Sequence, residues 1–207
     1  MREIYLHIGT HKTGSTAVQA FAARHDKELE RRGLLYPATG RPAIRRFASG
    51  HHLLPWTRLE HVNWKPAWGD FANDPEQVWG DLRKEIEASS CSTVLISSEE
   101  FDVLGDEDVA LVARQMDGFD VEVICYLRRL DEFVQSYYTT DVLYHGESRD
   151  IQTYSKGMRT TIDYFELIDR WRRQFGAQNV HVGFYTRPGL DIVSDVFGKA
   201  GLDVSEI

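Results

Sequence analysis

The 207-residue sequence predicts an α/β fold, a three-layer α/β/α sandwich with a central parallel sheet. Four short runs are almost continuously apolar and rich in β-branched residues, which is typical of strands that are covered on both faces. Amphipathic helical patterns separate these runs, and this alternation favours parallel strands joined by right-handed crossovers. The first strand leads into a glycine-containing loop and then a helix, which places that loop at the carboxyl edge of the sheet, where ligands bind in such folds.

The predicted strands are 4–8, 93–97, 121–127 and 180–185. The predicted helices are 15–32, 76–88, 107–116, 131–144, 161–175 and 191–200. The first helix has an apolar side formed by Val18, Phe21, Ala22 and Leu29, and Gly33 follows it as a C-cap. Segment 36–79 breaks the alternation because it contains several prolines and tryptophans. We therefore predict one domain, 1–207, with an irregular, aromatic-rich insertion at about 36–79 that forms a lid or substrate wall.

Composition and charge restrict the class of protein. Hydrophobic residues make up 42% of the chain and the net charge is −8, which argues against general nucleic-acid binding. No stretch has the length and apolarity of a signal peptide or a membrane span, so a cytoplasmic location is expected. Cys91 and Cys125 lack metal-site spacing and are predicted to be buried, unpaired thiols.

The loop after the first strand has a spacing close to that of an ATP-binding phosphate loop, G-x-x-x-x-G-K-[ST]. Gly9, Gly14 and Thr16 fit this pattern, whereas Ser15 stands at the lysine position and the lysine is displaced to Lys12. Backbone amides and hydroxyl groups at the start of a helix bind phosphate or sulfate well. The residues predicted to form this anion site are His11, Lys12, Thr13, Gly14, Ser15 and Thr16. A glycine-containing turn without a ligand is the alternative.

A second anion site is predicted where the third apolar strand ends. Arg128 follows that strand, and Ser136 lies in the second turn of the next helix. A guanidinium group offers a planar fork of donors that suits a phosphate, and the serine adds a hydroxyl. Alternatively, Arg128 pairs with Asp131 or another acidic residue at the rim.

The run HIGTHKTGST at 7–16 resembles the 5′-phosphosulfate loop of sulfotransferases that use 3′-phosphoadenosine 5′-phosphosulfate (PAPS). Arg128 and Ser136, with the tyrosines that follow, resemble the 3′-phosphate site of that family, and Phe184-Tyr185 resembles the place where an aromatic residue lies near the adenine. The resemblance spans roughly the whole chain. It implies PAPS as the co-substrate, adenosine 3′,5′-bisphosphate as the product, no obligatory metal, and a donor-binding role for Arg128, Ser136 and Tyr185.

Two departures from the family pattern stand out. Arg129 and Leu130 replace the asparagine and proline that usually follow the strand-end arginine. The sequence ends at Ile207 without the glycine-rich, basic loop that closes over the nucleotide in many members. Segment 154–160, with Lys156, Gly157 and Arg159, is a candidate substitute for that loop.

Sulfuryl transfer builds negative charge on the oxygen that bridges phosphorus and sulfur, and Lys12 is placed by its loop position to stabilise that charge. The acceptor hydroxyl must also lose a proton, so a general base is required. The candidates are His51 and His52, which would titrate near neutral pH, and Glu99, which would need a raised pKa. His11 is expected to contact the sulfate, and His7 to belong to the core.

The insertion offers candidates for the acceptor site. Its tryptophans either stack on a sugar ring or an apolar acceptor or pack the insertion onto the sheet. Its arginines either guide an anionic acceptor or form a solvated cluster. These residues are Trp56, Trp64, Trp68, Arg41, Arg45 and Arg46.

Together these observations predict a sulfotransferase that moves a sulfuryl group from PAPS to a hydroxyl of a carbohydrate or small metabolite, without nucleic acid or a membrane span. A phosphate-loop kinase with an altered loop and a non-catalytic nucleotide-binding module are the alternatives.

Overall fold

The structure, a computed structural model, describes residues 2–44, 47–58, 74–158, 163–186 and 189–207. Its centre is a five-stranded, all-parallel sheet in the order β2-β3-β1-β4-β5. The strands are β1 (Glu3–Gly9), β2 (Leu34–Leu35), β3 (Thr93–Ser97), β4 (Asp120–Leu127) and β5 (Val180–Phe184). The predicted α/β fold with a parallel sheet is confirmed, and so are the four predicted strands. Strand β2 was not predicted, because two residues at a sheet edge are too short to show a pattern.

The described helices surround this sheet. They are α1 (Ser15–Arg24), α2 (Asp26–Arg31), α3 (Leu53–Trp56), α4 (Pro75–Ala88), α5 (Asp106–Gln115), α6 (Leu130–Tyr144), α7 (Ile151–Gly157), α8 (Tyr164–Phe175) and α9 (Ile192–Lys199), with 3₁₀ turns at Glu99–Val103 and Ala177–Asn179. The prediction of a single helix at 15–32 is wrong, because helix α1 ends before His25 and a new helix starts with Asp26. Gly33 ends α2 with a φ of 88°, as its C-cap role requires.

Polar side chains cap the starts of α4 and α8. The Asp74 carboxylate accepts a hydrogen bond from the Glu76 N–H (3.0 Å), and Pro75 occupies the first helical position of α4. The Asp163 carboxylate accepts from the Glu166 N–H (3.1 Å) at the start of α8. These contacts explain why both helices begin where they do.

Two apolar clusters cover the two faces of the sheet. On one face Ile4, Leu6 and Ile8 of β1 pack with α4, α5 and α8. On the other, Tyr5 packs with α1 and α9. Because strands buried on both faces read as continuous apolar runs, this burial explains why they were recognisable in the sequence. Cys91 and Cys125 are both buried and form no disulfide with each other, as predicted.

The insertion packs against the carboxyl edge of β3. The His51 N–H donates to the Ser97 carbonyl (2.8 Å), and Trp56 is buried against Phe47 and His52. Of the two alternatives for Trp56, packing of the insertion is therefore the one that the structure shows. Arg41 lies over the Tyr36 ring and pairs with Asp26. Trp64, Trp68, Arg45 and Arg46 lie outside the described residues. Within the described ranges, no helix has both the length and the apolarity to cross a bilayer.

Candidate functional site

Two glycines shape the loop between β1 and α1. Gly9 has a φ of 92°, and a Cβ added there would lie 2.9 Å from the Cα of Glu99. Gly14 has a φ of 87°, and a Cβ there would approach the Tyr185 ring at 3.1 Å. L-residues with side chains rarely adopt this backbone region, so both positions favour glycine on conformation as well as on space. The loop is therefore pressed against Glu99 on one side and Tyr185 on the other.

The hydroxyl groups of this loop have different surroundings. The Thr13 hydroxyl donates to the Thr10 carbonyl (2.5 Å), and the Ser15 hydroxyl points to the same oxygen (3.5 Å). Thr16 is exposed. The first N–H groups of α1 have no intrahelical acceptor, because no preceding turn exists. The buried hydroxyls thus hold the loop in shape, and the helix-end amides remain the natural anion donors.

His11 is anchored by carboxylates of the 3₁₀ turn. The backbone N–H of His11 donates to Asp102 Oδ2 (2.9 Å), and its ring Nδ1 lies 2.8 Å from the same oxygen. The ring Nε2 lies 3.8 Å from Glu100 Oε1. Burial acts to lower the pKa of His11, but the Asp102 carboxylate outweighs it, so this pKa is raised well above its ordinary value. His11 therefore brings a positive charge to the loop at neutral pH.

The raised pKa of His11 predicts a pH-dependent contribution to folding. A group whose pKa is higher in the folded state stabilises the fold fully below its unfolded pKa, about 6.5 for histidine, and loses this contribution as pH rises through the folded pKa. His11→Gln should therefore reduce the unfolding free energy most near pH 6, and the difference from wild type should shrink at alkaline pH. Urea unfolding of both proteins across this range checks it. A difference that grows with pH would contradict the assignment.

Lys12 reaches from the loop to α6. Its Nζ donates to the Thr140 hydroxyl (2.7 Å) and lies 5.4 Å from the centroid of the Tyr137 ring. Thr140 lies one helical turn after Ser136 and donates to the Ser136 carbonyl (3.1 Å). The ammonium group thus lies between the loop and the helix that carries Ser136.

Arg128 brings the second predicted anion site into contact with the first. Its Nη1 donates to the Lys12 carbonyl (3.2 Å), and its guanidinium lies 5.7 Å from the centroid of the Tyr185 ring. Its Nε donates to Glu132 (3.2 Å), so the alternative that Arg128 pairs with an acidic residue at the rim is also met in part. The acidic residue named in that alternative, Asp131, pairs with Arg129 instead. Only 15% of the Arg128 side chain is exposed, against 73% for Arg129. Arg128 is therefore much the less exposed arginine of the pair.

The candidate closing segment is at least partly helical. Lys156 and Gly157 belong to α7, which is tied to α6 by the Tyr154 hydroxyl and Asp141 (2.5 Å). Arg159 lies outside the described residues. These two residues are therefore part of a helix and not of a glycine-rich loop.

The three predicted base candidates differ sharply in their surroundings. The Ser97 N–H donates to His51 Nδ1 (3.1 Å), and His51 Nε2 donates to the Pro37 carbonyl (2.9 Å). Because one partner can only donate and the other can only accept, the ring is a neutral, fixed tautomer. Burial, the largest cause, lowers the pKa of His51 to about 3. Both ring nitrogens of His51 are thus engaged with backbone groups.

Glu99 is half-buried and interacts electrostatically with the buried His52. The side-chain amide of Gln19 donates to Glu99 Oε2 (2.6 Å), and His52 Nδ1 lies 2.8 Å from the Ser98 hydroxyl. Burial would raise the pKa of Glu99, but the charges of His52 and His11 and the Gln19 hydrogen bond outweigh it, so this pKa is lowered. The raised pKa that a base role for Glu99 would require is therefore not found. Burial also lowers the pKa of His52.

His7 is fully buried in β1, as expected for a core residue. Its Nδ1 lies 2.8 Å from the Ser97 hydroxyl, and burial lowers its pKa to about 4.

Sequence reasoning missed two residues of this site. Gln19 is 2% exposed and lies beside Val18 in the buried side of α1, so a polar residue in an apolar stripe was the available signal. Asp102, the partner of His11, carried no such signal because its position follows from the 3₁₀ turn. In the described part of the chain, no group of three or more acidic, histidine or cysteine side chains is arranged to hold a metal ion.

Comparison with known proteins bears mainly on the fold. The chain is similar to the crystal structure of a sulfotransferase from Alicyclobacillus acidocaldarius, with a TM-score of 0.63 and 14% sequence identity, over 100% of this chain and 84% of that one. No family model matches the sequence. No curated protein matches it either. The structural likeness establishes a shared α/β fold.

Proposed function

We propose that this protein is a sulfotransferase that transfers a sulfuryl group from PAPS to a hydroxyl of a small acceptor. The observation that carries the proposal is the contact between the two candidate anion sites, in which Arg128 Nη1 donates to the carbonyl of Lys12. One site offers helix-end amides and a lysine, and the other a guanidinium and a helix with Ser136. Two anion sites that touch suit a donor with phosphoryl groups at both its 5′ and 3′ positions.

The altered loop favours this reaction over ATP chemistry. In phosphate-loop kinases a lysine at the start of the helix reaches the β and γ phosphates. Ser15 occupies that position here, and its hydroxyl points back to the Thr10 carbonyl. Lys12 comes from within the loop and lies beside α6. The likeness in fold to a solved sulfotransferase supports the same reading.

The proposed step moves the sulfuryl group between two oxygens. The acceptor oxygen forms a bond to sulfur, the bond from sulfur to the bridging oxygen breaks, and its electron pair remains on the 5′-phosphate of the product. Lys12 and the α1 amides would stabilise this developing charge. The acceptor proton passes to a base. We propose Glu99 for this role because it packs against Gly9 of the loop, Gln19 holds one of its oxygens, and it is a carboxylate at neutral pH. Its lowered pKa makes it a weaker base than the raised pKa required above would.

The donor assignment is tested by nucleotide binding without metal. In EDTA, adenosine 3′,5′-bisphosphate should raise the melting temperature far more than AMP or ATP. Arg128→Ala should weaken the bisphosphate by about 1.5–3 kcal/mol, the scale of a hydrogen bond to a charged group, and leave AMP nearly unchanged. Isothermal titration measures both affinities.

Arg129→Ala is the matched control, because this neighbouring arginine is exposed and should have little effect. Equal losses for the bisphosphate and AMP would reject the 3′-phosphate role of Arg128. A requirement for magnesium and ATP would indicate a kinase. Bisphosphate binding without transfer to any acceptor would indicate a non-catalytic binding module.

A further inference from the structure

Asp102 holds His11 of the loop at two places, the backbone and the ring. Its Oδ2 accepts a hydrogen bond from the backbone N–H of His11 (2.9 Å), and its two oxygens lie 2.8 Å and 3.0 Å from the ring Nδ1. Only 11% of the Asp102 side chain and 18% of the His11 side chain are exposed. A carboxylate of the 3₁₀ turn therefore fixes both the main chain and the ring of a loop residue.

This contact determines which ring nitrogen of His11 is left for a ligand. A carboxylate only accepts hydrogen bonds, so Nδ1 carries a proton and donates to Asp102. Nε2 lies 3.8 Å from Glu100 Oε1, which is longer than a hydrogen bond. In the imidazolium form Nε2 is a charged N–H donor, whereas in the neutral ring it presents a lone pair. The protonated ring would attract an anion, and the neutral ring held in this way would repel one.

Charged and titratable groups of several elements surround the His11 ring. Besides Asp102 and Glu100 they are Glu99, His52, Lys12 and Tyr137, with Asp163, Glu166 and Arg170 of α8 along the cavity beside it. Burial, the largest cause, lowers the pKa of His52 and raises that of Tyr137, so both are neutral from about pH 7 to 9. Carboxylates, lysines and arginines ordinarily titrate outside this range. Any pH dependence of the loop in this range is therefore expected to come from His11.

His11 and Lys12 approach the same aromatic ring of α6. The Lys12 Nζ lies 5.4 Å from the centroid of the Tyr137 ring, and the centroid of the His11 ring lies 5.8 Å from it. Two positive charges around one ring repel each other, which by itself favours loss of the histidine proton. The Asp102 carboxylate offsets this repulsion. The loop can therefore present two cations, and not one, to an anion.

We infer that Asp102 is a positioning residue that keeps His11 an imidazolium, with its Nε2–H directed to an anion at the loop, the 5′-phosphoryl group of the proposed donor. His11 then contributes to donor affinity, whereas Lys12 acts in the transfer step. This inference rests on the proposed function for the identity of the anion, and it deepens that function by assigning a pH-dependent contact to one end of the donor.

Two mononucleotides separate the two ends of the donor. 5′-AMP carries only the phosphate proposed for the loop, and 3′-AMP carries only the phosphate proposed for Arg128. At about pH 7.5, where a phosphate ester is already fully ionised, Asp102→Asn should weaken 5′-AMP and adenosine 3′,5′-bisphosphate about five- to tenfold. This is the difference between a hydrogen bond to a charged group and a neutral one. Affinity for 3′-AMP should not change. Titration calorimetry in EDTA measures all three affinities.

An NMR titration of the His11 ring measures the positioning role directly. In wild type the ring should stay protonated well above the ordinary histidine pKa of about 6.5. In Asp102→Asn the asparagine oxygen still accepts from the His11 N–H, but it no longer favours the charge on the ring. The pKa of His11 should therefore fall, and affinity for inorganic sulfate should drop as pH rises through the new pKa. Glu100→Gln should lower the pKa of His11 less, because Glu100 lies farther from the ring.

Asp117→Asn is the matched control, because it makes the same exchange at an exposed residue. It should change neither the pKa of His11 nor any of the affinities. Thermal unfolding shows which variants are folded. If Asp102→Asn does not fold, His11→Gln tests the same contact, because it should weaken 5′-AMP and sulfate, leave 3′-AMP unchanged and remove the pH dependence of sulfate binding.

The outcomes separate this inference from the proposed function. A His11 pKa that is not raised in wild type, or that is unchanged in Asp102→Asn, would overturn the positioning role. Equal losses for 5′-AMP and 3′-AMP would overturn it too, because they indicate a general loss of structure. If sulfate binding follows the ionisation of His11 but the bisphosphate does not bind, the loop contact is supported and the proposed donor is wrong. If the bisphosphate binds without any dependence on that ionisation, the donor proposal stands and this inference is wrong.

Discussion

Replacing Lys12 with alanine is expected to lower kcat by about 10²–10³-fold, the usual cost of removing one donor that stabilises developing charge. The affinity for adenosine 3′,5′-bisphosphate should change far less, because the α1 amides and Arg128 remain. Lys12 is suited to this role because it lies in the middle of the loop, with a backbone φ of 63°. Its side chain extends to α6, where its Nζ donates to the Thr140 hydroxyl. Release of the bisphosphate from PAPS, with an acceptor that wild type turns over, measures the rate.

Lys27→Ala is the control for this experiment, because Lys27 is an exposed lysine of α2. Its rate should equal that of wild type. A Lys12→Ala protein that loses donor affinity but keeps its kcat would place the lysine in ground-state binding and reject a transition-state role.

The second large effect is expected at Glu99. Glu99→Gln should lower kcat by about 10²–10⁴-fold, the range for loss of a general base, with little change in bisphosphate affinity. Glutamine has the same shape and can still accept from the Gln19 amide, so this contact is preserved. Because the pKa of Glu99 is lowered, the wild-type rate should hold steady through neutral pH and fall only in acid, as the carboxylate becomes protonated.

Two further variants distinguish a base from a structural charge. Glu100→Gln neutralises the next carboxylate of the same 3₁₀ turn, which faces His11, and should cost much less. His52→Asn should also cost less if Glu99 is the base. A larger loss in His52→Asn than in Glu99→Gln would transfer the role to His52. His51 is not a strong rival, because both of its ring nitrogens are hydrogen-bonded to backbone groups.

Much of the architecture could be predicted because it follows from local patterns. The four strands were recognisable because burial on both faces leaves a continuous apolar run. Gly9 and Gly14 marked the loop, and both have the positive φ that only glycine adopts easily. The break at His25 was missed because the apolar stripe of the predicted helix runs on to Leu29, which is buried in α2.

The site was less predictable because its contacts join distant parts of the chain. Gln19 and Glu99 are 80 positions apart, and Arg128 and Lys12 are 116 apart. No local pattern records such a contact. The direction of the Glu99 pKa shift could not be predicted for this reason, since the amide and the histidines that favour its carboxylate come from other elements.

The sequence by itself determined four of the five described strands, the glycine loop after β1 and the arginine that follows β4, because backbone preference and burial are visible in neighbouring residues. The tertiary structure alone decided that Arg128 touches the loop, that His51 is engaged at both ring nitrogens, and that a cavity lies beside His11. Charge and hydrogen bonding act through space, so these properties exist only once the sheet has brought the carboxyl ends of its strands together.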